Sequence, residues 1–185
     1  MKFRLEEGNM LGIDIILGNA CSLLGMLADS FSSTRKTTKG VLWVQNIGQV
    51  MYGASTIFLK GYSASVQNGV SLIRNLVAIR KINSKVLEWF LVVLGVVLGI
   101  VFNNLGWIGY LPILANLQYT LAIFKYKDNE RAIKISFAVC VVLFAIFNII
   151  IKNYVGFFSN LVILVTTLVA VLRKKKAEDQ EAEKV

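Results

Sequence analysis

The sequence predicts an all-α membrane protein: seven transmembrane helices, with two three-helix bundles in parallel repeat on either side of a single linking helix. Three observations lead there. Of 185 residues, 56% are hydrophobic and only 17% charged, with a mean hydropathy of +0.63. A soluble domain carries about 25% charged residues. The basic residues gather in alternate connections, and one long segment recurs further along the chain.

A helical span needs about 20 mostly apolar residues, and seven segments qualify. They are Leu11–Phe31, Gly40–Leu59, Gly61–Ile79, Val86–Phe102, Leu105–Phe124, Ile133–Ile151 and Tyr154–Leu172. The N-terminus has Glu6 and Glu7 where a signal peptide would be basic, and no Ala-x-Ala site follows, so the first helix is expected to be retained. The segment Lys174–Val185, three lysines and then Glu178, Asp179, Glu181 and Glu183, reads as a solvated cytoplasmic tail without structure.

Fifteen of the 20 basic residues fall on one side of these spans. Arg35, Lys36 and Lys39 follow the first span, and Arg80, Lys81 and Lys85 the third. Lys125, Lys127, Arg131 and Lys134 follow the fifth, and Arg173–Lys176 with Lys184 the last. The positive-inside rule makes that side cytoplasmic, with the N-terminus outside and the C-terminus inside. The net charge of +9 is accounted for by this bias, and nucleic acid is not expected as a partner. The lipid bilayer is.

The repeat sets the architecture. Residues 50–79 laid on 142–171 without a gap match at ten positions, among them Lys60/Lys152, Tyr62/Tyr154 and Asn68/Asn160. Shared apolar composition explains matched valines and leucines, but not the lysine, tyrosine and asparagine. Residues 11–79 and 105–172 then form two triple-helix units, and the fourth span, 86–102, brings the chain back so that both run in the same direction.

The third span is long enough to cross a bilayer yet carries Gln67, Asn68, Ser71, Arg74 and Asn75 at helical spacing. Polar groups inside a span are costly and face a cavity or a neighbouring helix. Gln45, Asn46, Gln49 and Thr56 make a similar row on the second span, Pro112, Asn116, Tyr119 and Thr120 on the fifth, and Ser159, Asn160 and Thr167 on the seventh. These amides and hydroxyls suit hydrogen bonding to an uncharged polar solute. The same groups also join membrane helices to one another. Asn68 and Asn160, placed equivalently, are the leading candidates for a central site, with Asn46, Gln49, Asn116 and Tyr119 around them.

Arg74 either snorkels to the interface or pairs with Asp29 near the inner end of the first span. Pro112 removes a backbone hydrogen bond and is expected to act as a hinge in the fifth span. Gly95 and Gly99 form a small-xxx-small pattern through which a homo-oligomer could pack. There is no histidine, no metal-ligand spacing, no phosphate loop and no nucleophile with a base, so neither enzyme, metal nor cofactor is expected. Cys21 and Cys140 both fall in apolar spans and make no disulfide framework.

With Gly18-Asn19-Ala20, Gln45-Asn46-Ile47-Gly48 and Asn68-Gly69 in these places, residues 11–173 resemble the YgjV-like bacterial inner-membrane family. The three-plus-one-plus-three arrangement resembles the SWEET, PQ-loop and PnuC superfamily, whose third helices carry an asparagine placed like Asn68 and Asn160. The Pro-Gln dipeptide of that superfamily is absent. The resemblance implies a multi-pass inner-membrane transporter or facilitator of a small polar solute. A non-transporting interaction or assembly protein sharing the fold is the alternative.

Overall fold

In a computed structural model, which describes residues 12–32, 38–80, 82, 84–126 and 130–182, every regular element is a helix. Among the described residues there are seven: α1 Gly12–Ser32, α2 Thr38–Phe58, α3 Tyr62–Ile79, α4 Lys85–Val101, α5 Tyr110–Lys125, α6 Glu130–Ile150 and α7 Tyr154–Ala182. Each corresponds to one expected span. By length and composition alone, two of them are apolar enough to cross a membrane, Gly12–Phe31 and Ala132–Ile150, and Tyr154–Val169 is a shorter apolar helix. Much of the signal is diluted elsewhere by the polar rows on α2, α3 and α5.

Two boundaries differ from expectation by more than a helical turn. α5 begins at Tyr110, not Leu105. Asn103 and Gly106 hold the intervening chain in a turn: the Asn103 amide donates to the Gly106 carbonyl at 2.8 Å, its oxygen accepts from Leu105 N–H at 3.1 Å, and Gly106 has φ +57°. Pro112 is thereby the third residue of α5. Its missing N–H belongs to the first turn, where no intrahelical acceptor exists. The expected hinge therefore loses its basis, because no helical hydrogen bond is removed. At the other end, α7 runs on to Ala182, through the segment read as an unstructured tail. Lys, Glu, Gln and Ala are good helix formers, and a helix already under way needs no new nucleus.

The helices pack in chain order, α1 on α2 on α3 and α5 on α6 on α7, while α4 touches α3 and α5. Two contacts join the sets: α1 lies on α7, and α3 on α5. The two tight turns are closely alike. α2 ends with Lys60 at φ 55° and α6 with Lys152 at φ 63°. Each is closed by the same pair of bonds, Lys60 N–H to Ile57 O with Gly61 N–H to Thr56 O, and Lys152 N–H to Ile149 O with Asn153 N–H to Asn148 O. This is the Schellman pattern, normally built on glycine because the left-handed conformation costs other residues about 1–2 kcal/mol. Lys152→Gly is accordingly expected to stabilise the protein by about 1 kcal/mol, visible as a higher midpoint in detergent denaturation. A lower midpoint would mean that the lysine side chain contributes more than the backbone strain costs.

Where the two turns meet, Leu59, Ala64, Phe147 and Ile151 form the apolar core, surrounded by Ile15, Leu105, Ile108, Leu111 and Phe144. Gly61 permits this contact, since a Cβ there would sit 2.9 Å from the Phe147 ring. Two asparagines fasten the turns. Asn19 of α1 donates to Lys152 O at 2.9 Å and accepts from Val155 N–H at 3.0 Å, and Asn104 donates to Lys60 O at 2.7 Å.

Candidate functional site

Around this core the interior holds many polar groups. The buried side chains include Ser22, Asn46, Ser55, Thr56, Ser63, Gln67, Ser71, Asn75, Asn148, Asn153 and Ser159, while Ile16, Trp43, Val86, Phe90, Val101 and Val162 lie on the outside. A water-soluble protein has the opposite distribution.

These polar faces enclose a cavity of about 380 Å³ between α2, α3, α5, α6 and α7, within the ~300–1,000 Å³ of small-molecule sites. Its wall is ordered by the helical repeat. α2 contributes Gln45, Gln49, Tyr52 and Thr56, and α6 contributes Phe137, Val141, Phe144 and Asn148. Each member of the second set stands 92 residues after its counterpart. The same offset relates Asn68 and Ser71 of α3 to Asn160 and Ile163 of α7. The two walls share geometry but not chemistry, for amides and a serine in the first face aromatic and aliphatic side chains in the second. Asn68/Asn160 is the pair that keeps its identity.

The cavity is closed at the end where the turns meet, for Thr56, Asn148 and Asn153 are almost fully buried there beneath the Leu59–Phe147–Ile151 core. At the other end Asp29, Gln45, Gln49 and Arg74 are only partly covered. A second, smaller cavity of about 210 Å³ lies between α3, α4 and α5, mostly apolar, and shares Ser71, Arg74 and Asn116 with the first.

Of the residues singled out in the sequence, Asn68, Asn160, Gln49, Asn116 and Tyr119 all line the central cavity, as do Asp29 and Arg74. Asn46 does not. It shares a face of α2 with Gly53, two turns on, and that face packs against Ser65 and Asn68 of α3. It is 6% exposed, and among the described residues neither its amide oxygen nor its nitrogen has a hydrogen-bond partner. Asn116 has structural work as well, since its amide donates to Gln67 Oε1 at 3.0 Å while Gln67 Nε2 donates to Gly95 O at 2.9 Å. That chain of bonds ties α5, α3 and α4 together. Gly95 and Gly99 face inward onto it, toward Val70, Gln67 and Ile113, so the small-residue pattern of α4 serves packing within the chain. The expected Arg74–Asp29 pair is replaced by other contacts: the Asp29 carboxylate accepts from the Tyr52 hydroxyl, and the groups in electrostatic reach of Arg74 are Tyr119 and Cys140.

Sequence patterning does not single out α6 or the turn residue Asn153. Asn153 both closes α6 and caps α7, accepting from Gly156 N–H at 3.0 Å and donating to Asn148 Oδ1 at 3.1 Å. The signal that finds the α6 wall is the 92-residue offset, because the polar row of α2, carried forward by it, lands on that wall.

No curated protein and no solved structure matches the chain. A family model described as a bacterial inner membrane protein, Imp-YgjV, matches residues 16–178. The chain therefore belongs to the Imp-YgjV family of bacterial inner membrane proteins.

Proposed function

We propose that this protein is a transporter or facilitator of small polar solutes, with its solute held in the central cavity between Asn68 and Asn160. In this reading all seven helices cross the inner membrane, the N-terminus outside and the C-terminus in the cytoplasm, as two three-helix bundles in a SWEET-like parallel repeat joined by α4. The observation that carries it is the polar cavity whose wall positions recur at a fixed offset on α2/α6 and α3/α7. The matching helix ends and turns support the repeat. So does the reciprocity of the contacts joining the halves, first helix on third in both cases. The apolar exterior and polar interior support seven crossings over two, because so much exposed apolar surface would aggregate in water.

Alternating access in repeat proteins proceeds by rocking of one half against the other around a fixed site. A cavity sealed at the turn end and uncovered at the basic end is one of the two conformations that such a cycle requires. By the charge rule the uncovered end faces the cytoplasm. Gln49 and Tyr119 complete the solute's hydrogen bonds here, and Asn116 holds α5 in register while presenting to the same space.

Purified protein reconstituted in vesicles should exchange polar solutes of cavity size faster than protein-free vesicles do, in a counterflow assay over a panel of sugars, nucleosides, amides and hydroxy acids. Absence of exchange for the whole panel, from a protein shown to be folded, would favour the interaction or assembly reading.

A further inference from the structure

We propose that the central cavity recognises its solute by an anionic group, and that Arg74 is the residue that binds it. This inference rests on the transport reading above and adds the charge of the cargo. Arg74 lies in the wall common to both cavities, five residues inside the end of α3. Among the described residues it makes no ion pair. Asp29 and Glu88 each share a cavity with it, yet Asp29 is engaged by Tyr52 and the neighbours of Arg74 are Tyr119 and Cys140.

A guanidinium held inside a membrane protein without a counter-charge is a costly arrangement, and such charges mark binding sites and pathways. Its planar fork of donors matches a carboxylate or phosphate by two parallel bonds. Other groups lining the central cavity, Asn68, Asn75, Gln49 and Asn160, donate and accept hydrogen bonds, as the hydroxyls of a small organic acid require. One arginine implies one anionic group per solute. The ligand class is therefore a small hydroxylated monoanion. The smaller cavity is mostly apolar and carries Glu88 in its wall, a like charge that opposes an anion there.

The experiment measures thermal shift and affinity of the purified full chain in a detergent with an uncharged headgroup, at constant ionic strength. The probes are gluconate against glucose, and lactate against lactamide. The carboxylates should stabilise the wild type and their uncharged counterparts should not. Arg74→Gln should weaken carboxylate binding about tenfold to a hundredfold, and Arg74→Lys, which keeps the charge but loses the fork, should fall between. Equal responses to charged and uncharged probes, no response to either carboxylate, or an unaltered response in Arg74→Gln would each overturn the proposal. Stabilisation by anionic lipid alone would do so too. If Arg74→Gln does not fold, the paired probes on the wild type and Arg74→Lys decide the matter. Exchange of neutral solutes with indifference to anions would remove this inference and leave transport standing. Anion binding that depends on Arg74, with no solute exchanged, would do the reverse.

Discussion

Solute exchange by the Asn68→Ala, Asn160→Ala double variant is expected to fall by about a hundredfold, and by about tenfold for each single variant. The magnitude follows from buried amides. Removing one partner of a buried hydrogen bond costs about 1–3 kcal/mol, and 1.4 kcal/mol is a factor of about ten. Both asparagines line the central cavity and are partly covered, so truncation enlarges the space without exposing a charge. Stability should therefore change little. That separation is what makes the measurement informative. Exchange at wild-type rates in a folded double variant would remove the two asparagines from the solute's path. A variant that loses both exchange and thermal stability would assign them to helix packing.

Phe147→Ala is expected to be the most damaging single truncation to stability, lowering it by about 3 kcal/mol. Phe147 is 0% exposed and sits at the meeting of the two turns with Leu59, Ala64 and Ile151. Phenylalanine truncations in cores cost about 3–5 kcal/mol. In a bilayer the transfer share of that cost shrinks, because lipid chains are as apolar as the core, and the loss of contacts across the void remains. The low end of the range applies for that reason. The variant should also loosen the sealed end of the cavity, which a Cys21→Ser background can report by faster reaction of Cys140, a lining residue that is 5% exposed, with small thiol reagents. An unchanged denaturation midpoint and unchanged labelling would mean that another group seals this end.

Much of this is legible in the sequence. Seven helices, their order and most of their ends follow from apolar runs bounded by basic connections, because a chain that must hide its backbone bonds in a membrane has few alternatives. The polar faces of α2 and α3 were legible from spacing, and the offset between Asn68 and Asn160 from simple alignment. What escaped was set by tertiary geometry. Lysine carries no signature of a left-handed helix end, so Lys60 and Lys152 could be matched as residues without their shared conformation being seen. The α6 wall is mostly Phe and Val, and nothing in such residues distinguishes lining a cavity from facing lipid. Asn46 reads like its neighbour Gln45, yet one step around the helix turns it from the cavity toward α3. The role of Pro112 depends on where α5 begins, and Asn103 and Gly106 decide that.

The asparagine ties at the turn end set the order in which the chain can be finished. Asn19 lies in the first half of α1, and besides Ile15 O of its own helix it has two partners, 133 and 136 residues further on. As the chain leaves the ribosome, α1 is made with only the local bond from the Asn19 amide to Ile15 O in place, and the Asn19 oxygen waits for nearly the whole protein to follow. Lys60, in turn, keeps an open carbonyl until Asn104 arrives. Contacts of such sequence separation form late. The closed end of the cavity is therefore the last part of the molecule to be completed in biogenesis, and a chain cut short before α7 would leave it open.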